Sequence, residues 1–176
     1  MKSRTRSLTL TLVLLTLASM VIAAAPCKKG EEVRIHPWMD HVTIGLGPVG
    51  VIRWGWWNCT HGLTDDWVHA TDHHYRLIFE GQVIQEIDAK KVTKHWGESS
   101  ELNEGMEYCI SPARTTWVAY WEYDKLKLKK PGEYQLEIYI AIREPLIDGF
   151  DLDEDGQADW YEGVFYNKVI TIEVVD

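Results

Sequence analysis

The sequence predicts an all-β fold, two sheets packed as a sandwich. Three observations carry this. Apolar residues recur at every second position in one stretch after another. Gly and Pro punctuate the gaps between those stretches. Only one short segment, "TDDWVHA", reads as a helical turn. Many short strands with almost no helix mean a sandwich or a barrel.

The elements follow in chain order. "EVRI" and "HVTIGL" are short strand candidates. In "IRWGWW", Ile52, Trp54 and Trp56 alternate with Arg53 and Gly55, so Trp57 faces away from its two neighbouring tryptophans. The helical turn "TDDWVHA" takes Thr64 as its N-cap, with Asp65 and Asp66 in its first turn. "HYRLIFE" places Tyr75, Leu77 and Phe79 on one face, and Gly81–Gln82 turns it into "VIQEI" as a hairpin. "TTWVAYWEY" is apolar on both faces and predicts a central strand. "EYQLEIYIAI" sends Tyr134, Leu136, Ile138, Ile140 and Ile142 inward, with Gln135 and Glu137 outward. The last strand sends Ile170, Ile172 and Val174 inward.

Ahead of these strands stands a different kind of segment. Lys2, Arg4 and Arg6 precede an apolar run from Leu8 to Ile22, and Ala23, Ala24 and Ala25 follow it. This is the pattern of a secretory signal peptide, taken as residues 1–25. Retention of the segment as an N-terminal anchor is the alternative, although the run is shorter than the roughly 20 apolar residues a span needs. Residues 26–176 then form one domain, long enough for one substantial core. Three of the 18 Lys and Arg fall in the leader, leaving 15 against 27 Asp and Glu, a formal charge of −12. Such a surface repels nucleic acid and anionic lipid, and it favours cations or basic partners. No later segment is apolar enough to form a transmembrane helix.

Export permits disulfides. The exported part holds Cys27, Cys59 and Cys109. Cys59–Cys109 is the expected bridge, because Cys27 sits in the N-terminal tail; Cys27–Cys109 stays open as an alternative. A bridge closing some fifty residues contributes roughly 4 kcal/mol in the chain-entropy model. Asn58-Cys59-Thr60 has the form of a glycosylation sequon, but an oxidised cysteine at its centre argues against modification.

"LKLKKPGEYQLEI" places Leu128, Gly132 and Tyr134 as in a tyrosine corner. The stretch resembles the late strands of immunoglobulin-like and fibronectin type III modules. It is also similar to a bacterial proteinase-inhibitor sandwich family with a "PGxY" strand. The resemblance spans about fifteen residues and implies an immunoglobulin-like antiparallel β-sandwich. It implies a fold and not an activity.

"DLDEDGQADWYE", Asp151 to Glu162, matches the twelve-residue EF-hand loop pattern. Asp151, Asp153 and Asp155 stand at positions 1, 3 and 5, and Gly156 at the sharp turn of position 6. Gln157 offers its backbone carbonyl at position 7, Asp159 stands at position 9, and Glu162 closes the set at position 12. So many oxygens on a short flexible segment suit Ca2+ better than the smaller Mg2+. No basic residue lies between Arg143 and Lys168 to neutralise these acids. Unlike an EF-hand, the loop is single, has Ala158 at position 8, and is entered through Pro145 and left through a strand. It is similar to the isolated calcium loops of dockerin-like modules, set here between the last two strands. Extracellular calcium modules bind at about 0.1–1 mM, and a tenfold excess over that constant stabilises by roughly 1.4 kcal/mol.

All seven histidines precede residue 96. His69 and His73 are four apart, with His74 beside them, a spacing that serves zinc on a helix. His36, Met39 and His41 suit copper by ligand type. Surface and turn histidines are the plainer reading of both groups. No nucleophile elbow, phosphate loop or HExxH is present, so no enzyme is expected. Nine tryptophans is high for this length, and most are expected in the core; Trp57, Trp160 and Tyr161 are the candidates for stacking on a ligand.

These readings converge on a secreted or cell-surface, calcium-binding β-sandwich with a binding or structural role toward a protein or glycan partner. A carbohydrate-binding module, a proteinase-inhibitor-like sandwich and a small histidine-site metalloenzyme are the alternatives.

Overall fold

The computed structural model describes residues 31–88, 95–111 and 115–176. The expected signal segment, residues 1–25, and Cys27 lie outside them. Strands β1 (Glu32–Ile35), β3 (Val49–Asn58), β7 (Thr116–Tyr123) and β6 (Ser100–Leu102) form one sheet in that order. Strands β2 (His41–Gly45), β9 (Trp160–Val175), β8 (Gly132–Ile147), β4 (Thr71–Phe79) and β5 (Gln82–Asp88) form the other. Among the described residues one α-helix, α1 (His61–Ala70), joins β3 of the first sheet to β4 of the second. The molecule is an all-β sandwich, as expected.

The antiparallel expectation holds for every pairing except those of the first two strands. β1 lies parallel to β3, and β2 lies parallel to β9. The cause is local. The chain turns at Pro37–Asp40, with the Met39 amide donating to the His36 carbonyl at 3.0 Å, and so passes from one sheet to the other. Each short segment then adds to an edge in the direction the chain is already travelling.

The core is the alternation made solid. Tyr134, Leu136, Ile138, Ile140 and Ile142 are all buried along β8, as are Ile170, Ile172 and Val174 along β9. Ile52, Trp54 and Trp121 meet them from the facing sheet. β7, apolar on both faces, sits between β3 and β6 as predicted. Each fully buried aliphatic or aromatic side chain contributes about 1.5–3 kcal/mol. The tyrosine corner is present: the Tyr134 hydroxyl donates to the Lys130 carbonyl at 3.0 Å and accepts from the Lys130 amide at 3.1 Å.

Two boundaries differ from the sequence reading. The helix is capped by Thr60, whose Oγ1 accepts from the Leu63 amide, and not by Thr64. Thr64 lies one turn inside, buried, with its hydroxyl donating to the Thr60 carbonyl. The helix therefore starts a turn earlier, and Asp65 and Asp66 fall outside its first turn. The β4–β5 turn is Glu80–Gly81, with φ of 50° and 74°, and Gln82 already pairs with Phe79. Two consecutive positive φ values make it the type I′ turn that suits sheet twist.

Trp67, on the inner face of α1, drives into one end of the sandwich. Its ring stacks on Trp56 at 5.3 Å and lies 6.2 Å from Trp54. This aromatic plug fixes the helix, and with it the end of the molecule that carries the acidic loop.

Candidate metal loop and aromatic cleft

Cys59 and Cys109 are joined in a disulfide with their Cα atoms 5.8 Å apart. The bridge is tied to the start of the acidic loop from both sides. The Cys59 amide donates to the Asp148 carbonyl at 2.8 Å, and the Ile110 amide donates to the Gly149 carbonyl at 3.1 Å. The Asp151 amide donates to the Tyr108 carbonyl at 2.9 Å. Gly149 has a φ of +84°, and a Cβ built on it would lie 2.9 Å from the Cys59 Cβ. Only glycine meets both conditions there.

Beyond this anchor the loop curls around its own carboxylates. Ligand atoms of Asp151, Asp153 and Asp155 all lie within 4.8 Å of one another. Asp151 accepts from the amides of Asp155 and Gly156, each at 2.9 Å, one on each carboxylate oxygen. Asp153 accepts from the Asp155 amide at 3.3 Å, and Asp155 from the Gln157 amide at 2.8 Å. Gly156 makes the reversal with a φ of +85°. Three carboxylates held this close favour a cation by mutual repulsion alone. They are hard oxygen donors, the ligand type of hard cations.

Of the other predicted carboxylates, Asp159 and Glu162 stand outside that group of three. Asp159 Oδ2 accepts from the Leu152 amide at 3.2 Å, and its own amide donates to the Phe150 carbonyl, so it clasps the mouth of the loop. Gln157 is exposed at the tip, its amide side chain reaching Asp155 at 3.4 Å. Glu162 is exposed in the opening residues of β9. The reason is the strand: Trp160 pairs with Ile147 and Tyr161 with Leu146, so β9 begins inside the twelve-residue pattern. An exiting helix would orient position 12 differently.

Asp148 was not singled out from the sequence. It is fully buried at the threshold of the loop. Its Oδ2 accepts from the Trp56 indole N–H at 2.8 Å, and its Oδ1 accepts from the Phe150 amide at 2.9 Å. The Tyr161 hydroxyl is a third partner. Burial raises the Asp148 pKa, opposed by these three hydrogen bonds. Burial and the neighbouring Asp148 charge push the Tyr161 hydroxyl up as well. A signal existed. Leu146, Asp148 and Phe150 are all buried, continuing the inward parity of β8.

The stacking candidates divide. Trp160 is 69% exposed. Tyr161 turns inward, edge-on to Trp56 and Trp67 at 5.4 and 5.3 Å, and so is not presented to a ligand. Trp57 is partly exposed and lines a cleft of about 350 Å3 with Trp56, Tyr108, Phe150 and Leu152. Leu152 belongs to the acidic loop and Tyr108 to the disulfide-bearing segment, so the loop supplies one wall of the cleft.

The histidines do not assemble. His69 is exposed at the end of α1, with Nδ1 2.7 Å from the Asp65 carbonyl. His73 is buried, with Nδ1 2.9 Å from the Tyr75 hydroxyl and its ring stacked on Trp121 at 4.9 Å. His74 stands on the outer face, its Nε2 2.9 Å from Glu86. Helix ends at Ala70, and strand alternation sends His73 and His74 to opposite faces. His36 stacks on Trp38 and its amide donates to the Met39 sulfur at 3.5 Å, while His41 faces Glu173 from the other sheet. Among the described residues no helix is long and apolar enough to cross a membrane. Comparison of the chain with family models, curated proteins and solved structures gives no match.

Proposed function

We propose that this chain is an extracytoplasmic binding module whose last inter-strand loop takes Ca2+ and whose ligand surface is the cleft beside that loop. One observation carries the reading: Leu152 of the acidic loop and Trp57 of β3 wall the same aromatic cleft. A cation that orders the loop therefore also shapes the cleft. The leader-like N-terminus and the Cys59–Cys109 disulfide support export. The strand order supports an immunoglobulin-like arrangement. Read from β1 as strand A, it is A-B-E-D in one sheet and G-F-C-C′ in the other, with β2 added beside G.

A glycan is the ligand class that such a cleft suits. Planar rings offer flat apolar faces to the C–H faces of a sugar, and the surrounding negative charge disfavours anionic ligands. The test is Trp fluorescence against a panel of neutral oligosaccharides, in Ca2+ and then in chelator. Saturable quenching in Ca2+, lost in chelator and in Trp57→Ala, supports the reading. Quenching indifferent to both changes, or none with any sugar, rejects it.

A further inference from the structure

Away from the acidic loop, the start of α1 meets the segment that leads into β6. Ser99 Oγ is 2.8 Å from His61 Nε2, and His61 Nδ1 is 3.1 Å from Asp65 Oδ2. One tautomer satisfies both contacts: Nδ1–H donates to Asp65, and Nε2 accepts from the Ser99 hydroxyl. This is the order of a nucleophile, its base and the group that orients the base. We propose that Ser99, His61 and Asp65 form an acyl-transfer site acting on small uncharged carboxylic esters.

A His–Asp pair one helical turn apart is by itself an ordinary surface contact. The third member makes the difference, because Ser99 arrives from 38 residues further along the chain. Each part is held. Thr60 caps the turn that carries His61, and Trp67 anchors the helix in the core. The His61 ring lies edge-on to Trp117 at 4.8 Å, which fixes its orientation. Ser99 is flanked by two ties to β7: the Gly97 amide donates to the Tyr120 carbonyl at 2.8 Å, and Ser100 pairs with Val118. The three groups border a cleft of about 410 Å3 that also takes in Val68, Ala119 and Glu98. Val68 and Ala119 suit a short acyl chain, and the Glu98 carboxylate disfavours an anionic one.

The chemistry balances with water alone. Ser99 Oγ bonds to the ester carbonyl carbon while its proton passes to His61 Nε2, and Asp65 steadies the resulting imidazolium. The carbon–alkoxy bond then breaks, and the leaving alcohol takes the proton from Nε2. Water repeats the sequence on the acyl-Ser99 ester, which releases the acid and restores the hydroxyl. The side chains of His61 and Asp65 are both about half exposed, so substrate has access and the orienting bond is screened by solvent. Activated esters are therefore the substrates expected to react measurably.

The experiment uses the full-length, disulfide-bonded chain with a fluorophosphonate probe and, separately, p-nitrophenyl acetate. Peptide mapping is expected to place the probe on Ser99. Ser99→Ala abolishes that label, and His61→Gln slows labelling and ester hydrolysis by about 10²-fold or more. Thermal melts of both variants establish that they are folded, and Asp65→Asn is expected to slow labelling in the wild type but not further in His61→Gln. No label at Ser99 in the wild type overturns the proposal. So does labelling or hydrolysis that His61→Gln leaves unchanged.

Discussion

The Cys59 amide and the Asp148 carbonyl are hydrogen-bonded at 2.8 Å, which ties one half of the disulfide directly to the threshold of the acidic loop. We expect reduction of this bridge to be limited by opening of the loop that packs on the buried Cys59. A cation that closes the loop slows that opening. The rate of reduction by dithiothreitol is expected to fall about tenfold at a tenfold excess of Ca2+ over its dissociation constant. Asp151→Ala should make the rate insensitive to Ca2+. Equal rates with Ca2+ and with chelator, in the wild type, would sink this coupling.

Asp151 is the centre of the loop, since two backbone amides and two further carboxylates converge on it. At the same tenfold excess, Ca2+ should stabilise the wild type by about 1.4 kcal/mol. For a chain of this size that corresponds to a rise in Tm of about 3–6 °C. Asp151→Ala should remove the response, along with terbium luminescence sensitised by Trp160 and Tyr161. A Tm rise that survives in the variant places the ion elsewhere.

Burial lowers the His73 pKa to about 3, against an ordinary 6.5. Between those values the unfolded chain binds a proton that the folded chain refuses, so stability increases with pH. The His73 contribution is complete above about pH 6.5 and is lost as pH falls toward 3. Its slope is at most about 1.4 kcal/mol per pH unit. His73→Phe should be less stable than wild type at pH 8, because the Tyr75 hydroxyl loses its partner, at a cost of about 1 kcal/mol. The gap should narrow or reverse by pH 4. Denaturant unfolding of both proteins across that range checks it, and parallel curves would count against His73.

Gly149 should tolerate no side chain. Gly149→Ala imposes a positive φ on alanine and presses its Cβ against Cys59. We expect a loss of about 1–3 kcal/mol in stability, measured by denaturant midpoint. A variant as stable as wild type would mean that the disulfide segment shifts freely.

Local patterns were readable in proportion to their regularity. Tyr134 to Ile142 and Ile170 to Val174 were assigned to the core by parity alone, and all are buried. Cys59–Cys109 followed from export and position, and it is formed. Thr60 and Thr64 both have the chemistry of a cap, and sequence does not say which hydroxyl the first turn uses; the structure uses Thr60. The inward parity of Leu146 and Phe150 passes through Asp148, but an acid beside an acidic loop reads as another solvated charge.

The sequence by itself determined the layered β architecture, the inward residues of each long strand and the spacing of the acidic loop. All of these depend on periods of two or on fixed offsets along one segment. Only the tertiary structure decided which carboxylates converge, that Tyr161 turns inward, and that Trp57 shares a cleft with Leu152. It alone brought Ser99 to His61. The Trp57–Leu152 and Ser99–His61 pairs join residues far apart in the chain, so the packing of the two sheets sets them and not any local preference.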